Sequence, residues 1–175
     1  FKLSFFAILK MKTIAIIGGG FCGAECARIL DQKAPEDWKI MLFDAKEHFE
    51  FTPSVHKLIT DLRYEKKIKV PYSKFLKRVK AITEKVTTVT KERILTEKAE
   101  YKFDYLVLSS GSNTPNPMFE NTYLLKTSED AKLLHSKILT AKSVVIIGSG
   151  LTGIEIAGEL CTKTDKKILL IHGIM

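Results

Sequence analysis

Cysteine is scarce: Cys22, Cys26 and Cys161 are the only three among 175 residues. An odd, small number excludes a disulfide-stapled secreted scaffold and points to a reducing compartment, with the cytoplasm as the expected location. Cys22 and Cys26 are four apart and lack metal-ligand partners, so buried or half-buried thiols are expected at all three positions. Long apolar runs are also missing, and nothing approaches the roughly twenty residues a membrane-spanning helix needs. The stretch from Phe1 to Lys10 is apolar but short, has no small-residue cleavage site and precedes Met11. It is expected to lie outside the fold, with a weak interfacial anchor as the alternative. Aromatic residues make up only 9% and do not interleave with the basic clusters, so no nucleic-acid partner is expected.

What is present is a globular balance, 45% hydrophobic and 27% charged. The net charge of +8 suits anions such as cofactor phosphates or an anionic membrane surface. A non-enzymatic nucleotide- or nucleic-acid-binding module is the alternative from another class, and steep salt dependence would be the signature of nucleic-acid binding.

The most informative stretch runs from Lys12 to Asp44. The apolar run Thr13 to Ile17 is too short for a helix and leads into Gly18, Gly19, Gly20, Phe21, Cys22 and Gly23. Helix formers follow, then a second apolar run, Lys39 to Phe43, closed by Asp44. Strand, G-x-G-x-x-G, helix, strand and acid together form the dinucleotide fingerprint. Gly18 serves the tight turn, Gly20 the approach of a pyrophosphate, and Gly23 close packing of helix on strand, while Asp44 accepts from ribose hydroxyls. The pattern repeats 130 residues later, with a strand Ser143 to Ile147, then Gly148, Gly150 and Gly153, a helix containing Glu155, and a strand Lys167 to Ile171. His172 stands where an acid would grip the second ribose. Two fingerprints in one chain imply two dinucleotides.

Between them, Pro53 is placed to open a helix continued to Thr60, and His56 reads as a structural neighbour of the cofactor loop more readily than as a catalytic group. Short alternating runs from Val79 to Phe103 predict a β-meander, followed by a buried strand ending in Ser109, Ser110 and Gly111. Asn113 to Pro117 reads as a boundary, and Thr127 to Asp130 as the start of a helix through Leu139.

The order of these pieces resembles the FAD-dependent pyridine nucleotide oxidoreductases, and within them the type II NADH:quinone oxidoreductases and apoptosis-inducing-factor-like quinone reductases. The likeness covers Met11 to Met175, and is carried by the two glycine loops, Asp44 and Phe49-Glu50-Phe51-Thr52-Pro53. It implies an α/β fold with two Rossmann-like dinucleotide-binding units of three-layer ββα type, the second truncated. An FAD-binding domain would occupy 11–117 and the start of an NAD(P)H-binding domain 118–175, as the N-terminal part of a longer enzyme. By resemblance Gly18 to Cys22 hold the FAD pyrophosphate, Lys57 faces the flavin, the Val79 backbone meets adenine, and Ser110 and Gly111 line the flavin site. Gly148, Gly150, Gly153, Glu155 and His172 belong to NAD(P)H. With histidine at 172, NADH and NADPH both stay open. No cysteine lies between Cys26 and Cys161, which argues against a redox disulfide. The implied acceptor is a quinone, with peripheral membrane contact; a small redox protein such as rubredoxin or ferredoxin is the alternative. The cofactors carry the hydride chemistry, so no catalytic side chain is expected.

Overall fold

A computed structural model describes residues 11–112 and 119–173. The expectations for residues 1–10 and for the boundary at Asn113 to Pro117 lie outside the described residues. In chain order the elements are β1 (Thr13–Ile17), α1 (Phe21–Lys33), β2 (Lys39–Asp44), β3 (His48–Glu50), a 3-10 helix (Thr52–Ile59), α2 (Glu65–Ile68), β4 (Lys69–Pro71) and β5 (Lys80–Thr83). There follow β6 (Val86–Val89), β7 (Arg93–Thr96), β8 (Glu100–Lys102), β9 (Tyr105–Leu108), α3 (Ser128–Thr140), β10 (Ser143–Ile147), α4 (Leu151–Lys163) and β11 (Lys167–Ile171). They fall into two compact units, each made of two chain segments: 11–49 with 71–112, and 50–70 with 119–173.

In the first unit β5-β2-β1-β9 form a four-stranded parallel sheet. The period-two geometry of a strand divides its apolar side chains between two faces. Ile14, Ile16, Ile40 and Leu42 pack with Ala24 and Ala27 of α1, while Ala15, Ile17, Met41 and Phe43 pack with Ile82 and with Ile94 of β7. Both faces of the parallel sheet are thus covered, by a helix on one side and the antiparallel meander β6-β7-β8 on the other. This is the three-layer ββα arrangement. The expected meander is one strand shorter than the sequence suggests, because β5 pairs with β2 in parallel, Met41 opposite Lys80. Burying Ile82 in the cluster that holds Met41 and Phe43 stabilises that pairing.

The second unit holds the parallel pair β10-β11. Its core gathers Val55, Leu58 and Ile59 of the 3-10 helix with Ile68, Ala131 and Ile138 of α3, Ile146 and Leu160 of α4. Glu50 is buried here and accepts from the Ser128 N–H (2.9 Å) and hydroxyl (3.1 Å). Thr127 caps α3 by accepting from the Asp130 N–H, and the Asp130 carboxylate accepts in return from the Thr127 N–H, 2.8 Å.

Candidate functional site

β1 ends in a glycine loop shaped by contacts on every side. Gly18 has φ +93, a left-handed conformation that a side chain would strain. Its N–H donates to the Phe43 carbonyl (2.8 Å), and its carbonyl accepts from the Ser109 hydroxyl (2.9 Å). A side chain at Gly23 would overlap the Gly18 carbonyl oxygen and the Ser109 hydroxyl, so the glycine lets α1 approach the loop. At Gly20, by contrast, a Cβ would meet nothing within 4 Å. Gly20 is the N-cap of α1, no side chain caps that end, and its first turn carries no acid. An open cradle lined by uncapped N–H groups at the positive end of a helix fits a pyrophosphate.

Asp44 closes β2 beside this loop. One carboxylate oxygen accepts from the Gly19 N–H (2.6 Å) and the other from the Lys46 N–H (2.7 Å). An ionised carboxylate has about four lone-pair sites, so acceptor capacity remains for ribose hydroxyls. Phe21 leads α1 with its ring set edge-on to Phe49 at 5.0 Å, and is itself about half exposed. Cys22 and Cys161 are exposed and Cys26 half-buried, so only Cys26 matches the burial expected of the thiols. Small neighbours and glycines around the first turn of α1 leave the Cys22 side chain uncovered. Burial first, and then the neighbouring Cys22, raise the Cys26 thiol above its ordinary value.

Two residues missed in the sequence complete the first site. Tyr72, only 2% exposed, donates its hydroxyl to the Gly19 carbonyl (2.9 Å). Burial and then the Asp44 carboxylate raise its phenol far above the usual range, so it stays a neutral donor. Asp31 in α1 accepts at one oxygen from the N–H groups of Lys77 (3.0 Å), Arg78 (2.7 Å) and Val79 (2.8 Å). Arg78 answers by donating to the carbonyls of Ala34 (2.9 Å) and Pro35 (2.7 Å) past the end of α1. Burial alone would raise the Asp31 carboxyl, but the three amides and Arg78 outweigh it and hold it below its ordinary value. The Val79 N–H is thus committed to Asp31. Ser110 and Gly111 follow β9, with Gly111 at φ +73, where an added Cβ would meet none of the described residues within 4 Å.

The second unit repeats the loop. Gly148 has φ +105 and donates to the Ile171 carbonyl (2.9 Å), Gly150 is the open N-cap of α4, and a Cβ on Gly153 would overlap the Gly148 carbonyl oxygen. His172 lies just past β11 with Nδ1 hydrogen-bonded to the Ser149 hydroxyl of the loop. Glu155 is 3.5 Å from His56 Nδ1, and both line a cavity of about 250 Å³ with Thr52, Thr152 and Lys126. Lys57 reaches the Tyr64 hydroxyl (3.4 Å) and lies over its ring, in a cavity of about 710 Å³ shared with Arg63, His135 and Lys163.

Residues 12–174 match the family described as Pyridine nucleotide-disulphide oxidoreductase. The chain belongs to that family. Its members are flavoproteins using FAD and NAD(P)H, and two glycine loops at the heads of α1 and α4 are the local geometry that chemistry requires. Apoptosis-inducing factor homolog A of Dictyostelium discoideum is 30% identical over 93% of this chain and 42% of its own length. Ferroptosis suppressor protein 1 of Xenopus tropicalis is 27% identical over 91% of this chain and 43% of its own. The chain spans under half the length of the curated relatives it matches. Among solved structures, the sulfide:quinone oxidoreductase of Aquifex aeolicus superposes with a TM-score of 0.74 at 26% identity, over 91% of this chain and 43% of that one. The NDH2 of Plasmodium falciparum in complex with NADH superposes at 0.77 and 18% identity, over 94% of this chain and 42% of that one, a likeness of fold. No helix among the described residues is long and apolar enough to cross a membrane.

Proposed function

We propose that the first glycine loop binds FAD and the second NAD(P)H, in an oxidoreductase that passes electrons from NAD(P)H through flavin to a quinone. The observation that carries this reading is the duplicated cradle: at Gly20 and at Gly150 an uncapped helix N-terminus faces space in which a Cβ would meet nothing within 4 Å. When bound, FAD supplies the hydride acceptor and the relay of electrons to the final acceptor. The chain's own residues bind and orient. Gly20, Phe21 and Cys22 present backbone N–H groups to the FAD pyrophosphate, and Asp44 grips the ribose. Ser110 and Gly111 supply a small-residue wall. In the second unit Gly148 and Gly153 bring the head of α4 against its loop, Gly150 would receive the second pyrophosphate, and Glu155, 3.5 Å from His56 Nδ1, would belong to the NAD(P)H site. His172, held by Ser149, meets the adenosine ribose of NAD(P)H.

A quinone acceptor is supported by likeness to a sulfide:quinone oxidoreductase, while the absence of cysteine between Cys26 and Cys161 argues only against a redox disulfide in that span. The test is a visible spectrum of the desalted protein, followed by anaerobic NADH and then NADPH. Flavin absorbance near 450 nm that bleaches on nucleotide addition is the expected result; a colourless chain that takes up no added FAD overturns the reading. Reoxidation by a short-chain quinone is expected, and reoxidation only by rubredoxin or ferredoxin would replace the acceptor. His172→Glu should shift preference toward NADH, read as the ratio of bleaching rates.

A further inference from the structure

Each peptide of the first glycine loop is held from a different side. A trans peptide points its C=O and its N–H in opposite directions. In the Gly18–Gly19 peptide, the N–H goes to Asp44 (2.6 Å) and the C=O to the Ser109 hydroxyl (2.9 Å), so both ends are taken. In the next peptide, the Gly19 C=O is taken by the buried Tyr72 hydroxyl (2.9 Å). Its other end, the Gly20 N–H, is therefore turned away from Tyr72, at the residue where an added Cβ would meet nothing within 4 Å. Tyr72 also explains Gly19. A Cβ there would overlap the Tyr72 hydroxyl and ring, so glycine is required by the tyrosine and not by a left-handed φ.

We propose that Tyr72 is a positioning residue for dinucleotide binding: by fixing the Gly19 carbonyl it aims the Gly20 N–H at the pyrophosphate before the ligand arrives. The inference rests on the reading of the first loop as a dinucleotide site. Without the hydroxyl the peptide between Gly19 and Gly20 can rotate, and binding must then reorder it. Burial, and then the Asp44 carboxylate, push the phenol well above its ordinary value, so near neutral pH it keeps the proton it donates. The hydrogen bonds from Gly18 to Phe43 and from Ser109 to Ile17 do not involve Tyr72.

The test compares Tyr72→Phe with the unaltered 175-residue chain in calorimetric titrations with FAD, ADP and adenine. Loss of one net hydrogen bond's worth of orientation predicts FAD and ADP affinities about tenfold lower, with adenine, which has neither the phosphates nor the ribose that Asp44 would hold, unchanged. Equal FAD affinity in the two chains, or an equal fall for all three ligands, overturns the role assigned to Tyr72 while leaving the dinucleotide site standing. If the unaltered chain binds neither FAD nor ADP, the reading of the site itself fails. A second measurement needs no variant. On addition of inorganic pyrophosphate to the ¹⁵N-labelled unaltered chain, the Gly20 amide resonance is expected to move strongly and the Gly19 amide, already held by Asp44, to move little. A Gly19 response equal to or larger than that of Gly20 overturns the proposal.

Discussion

Gly20 and Gly23 stand three residues apart and should answer the same substitution in opposite ways. Gly20→Ala adds a methyl group to open space, so the cost in folding is that of a poorer helix N-cap, within about 1 kcal/mol. Its cost in ligand affinity should be large, because the added methyl occupies the cradle. Gly23→Ala drives a methyl into the Gly18 carbonyl and should destabilise by about 1–3 kcal/mol even without ligand. Urea denaturation with and without FAD separates the two effects. Asp31 supports another prediction. Asp31→Ala leaves the amides of Lys77, Arg78 and the buried Val79 without their acceptor and should cost about 1–3 kcal/mol in urea titration. The carboxyls of Asp31, Glu65 and Glu129 are all depressed. For Glu129, burial alone would raise the value, but its own backbone N–H, Lys69 and Ser128 bring it down to about 2. Groups depressed by folding contribute fully above their unfolded values, near pH 4, and lose that contribution as pH falls through the folded ones. The urea midpoint should therefore be flat near neutrality and fall steadily below about pH 4, with a shallower fall in Asp31→Ala.

Among the elements, α3 carries the clearest local signal. Thr127→Ala removes the side-chain half of its capping box and should cost about 1 kcal/mol, read as a lower urea midpoint with unchanged slope. The same locality explains what was legible in the sequence. β1, α1 and β2, and again β10, α4 and β11, follow from apolar runs, glycine spacing and helix formers that lie within about thirty residues of each other. So does the helix opening after Thr127. The 3-10 geometry of Thr52–Ile59 was legible only as a helix near Pro53, because its tighter winding is set by packing of Val55, Leu58 and Ile59 against α3 and α4. β5 was legible as a strand, but its partner was not: the alternation of Val79 to Ile82 is the same in a meander and in a parallel edge. The site divides in the same way. Its glycines and Asp44 announce themselves through spacing, whereas Tyr72 and Asp31 act on backbone groups 53 and 46 to 48 residues away, with no local pattern to mark them. A tyrosine paired with a non-turn glycine is the trace that could have been sought.

Taken whole, the chain carries its apolar exposure unevenly. In the second unit Val145, Ile147, Ile154 and Leu169 are each more than half exposed, and Leu151 is 84% exposed. A two-stranded parallel sheet with apolar residues in water invites association. Sedimentation should show mass rising with concentration, and Ile147→Thr together with Leu169→Thr should suppress it. The interleaving of the two units has a temporal side. Val55, Leu58, Ile59 and Ile68 find their cover in α3 and α4, and Leu160 follows Ile68 by 92 residues. At ribosomal rates of about 5–20 residues per second, those side chains leave the ribosome roughly 5–20 s before the last of their partners exists. The first unit, whose β9 ends at Leu108, is synthesised within that wait, so each newly made molecule passes through an interval in which one unit has all its strands while Val55, Leu58, Ile59 and Ile68 of the other still lack their cover.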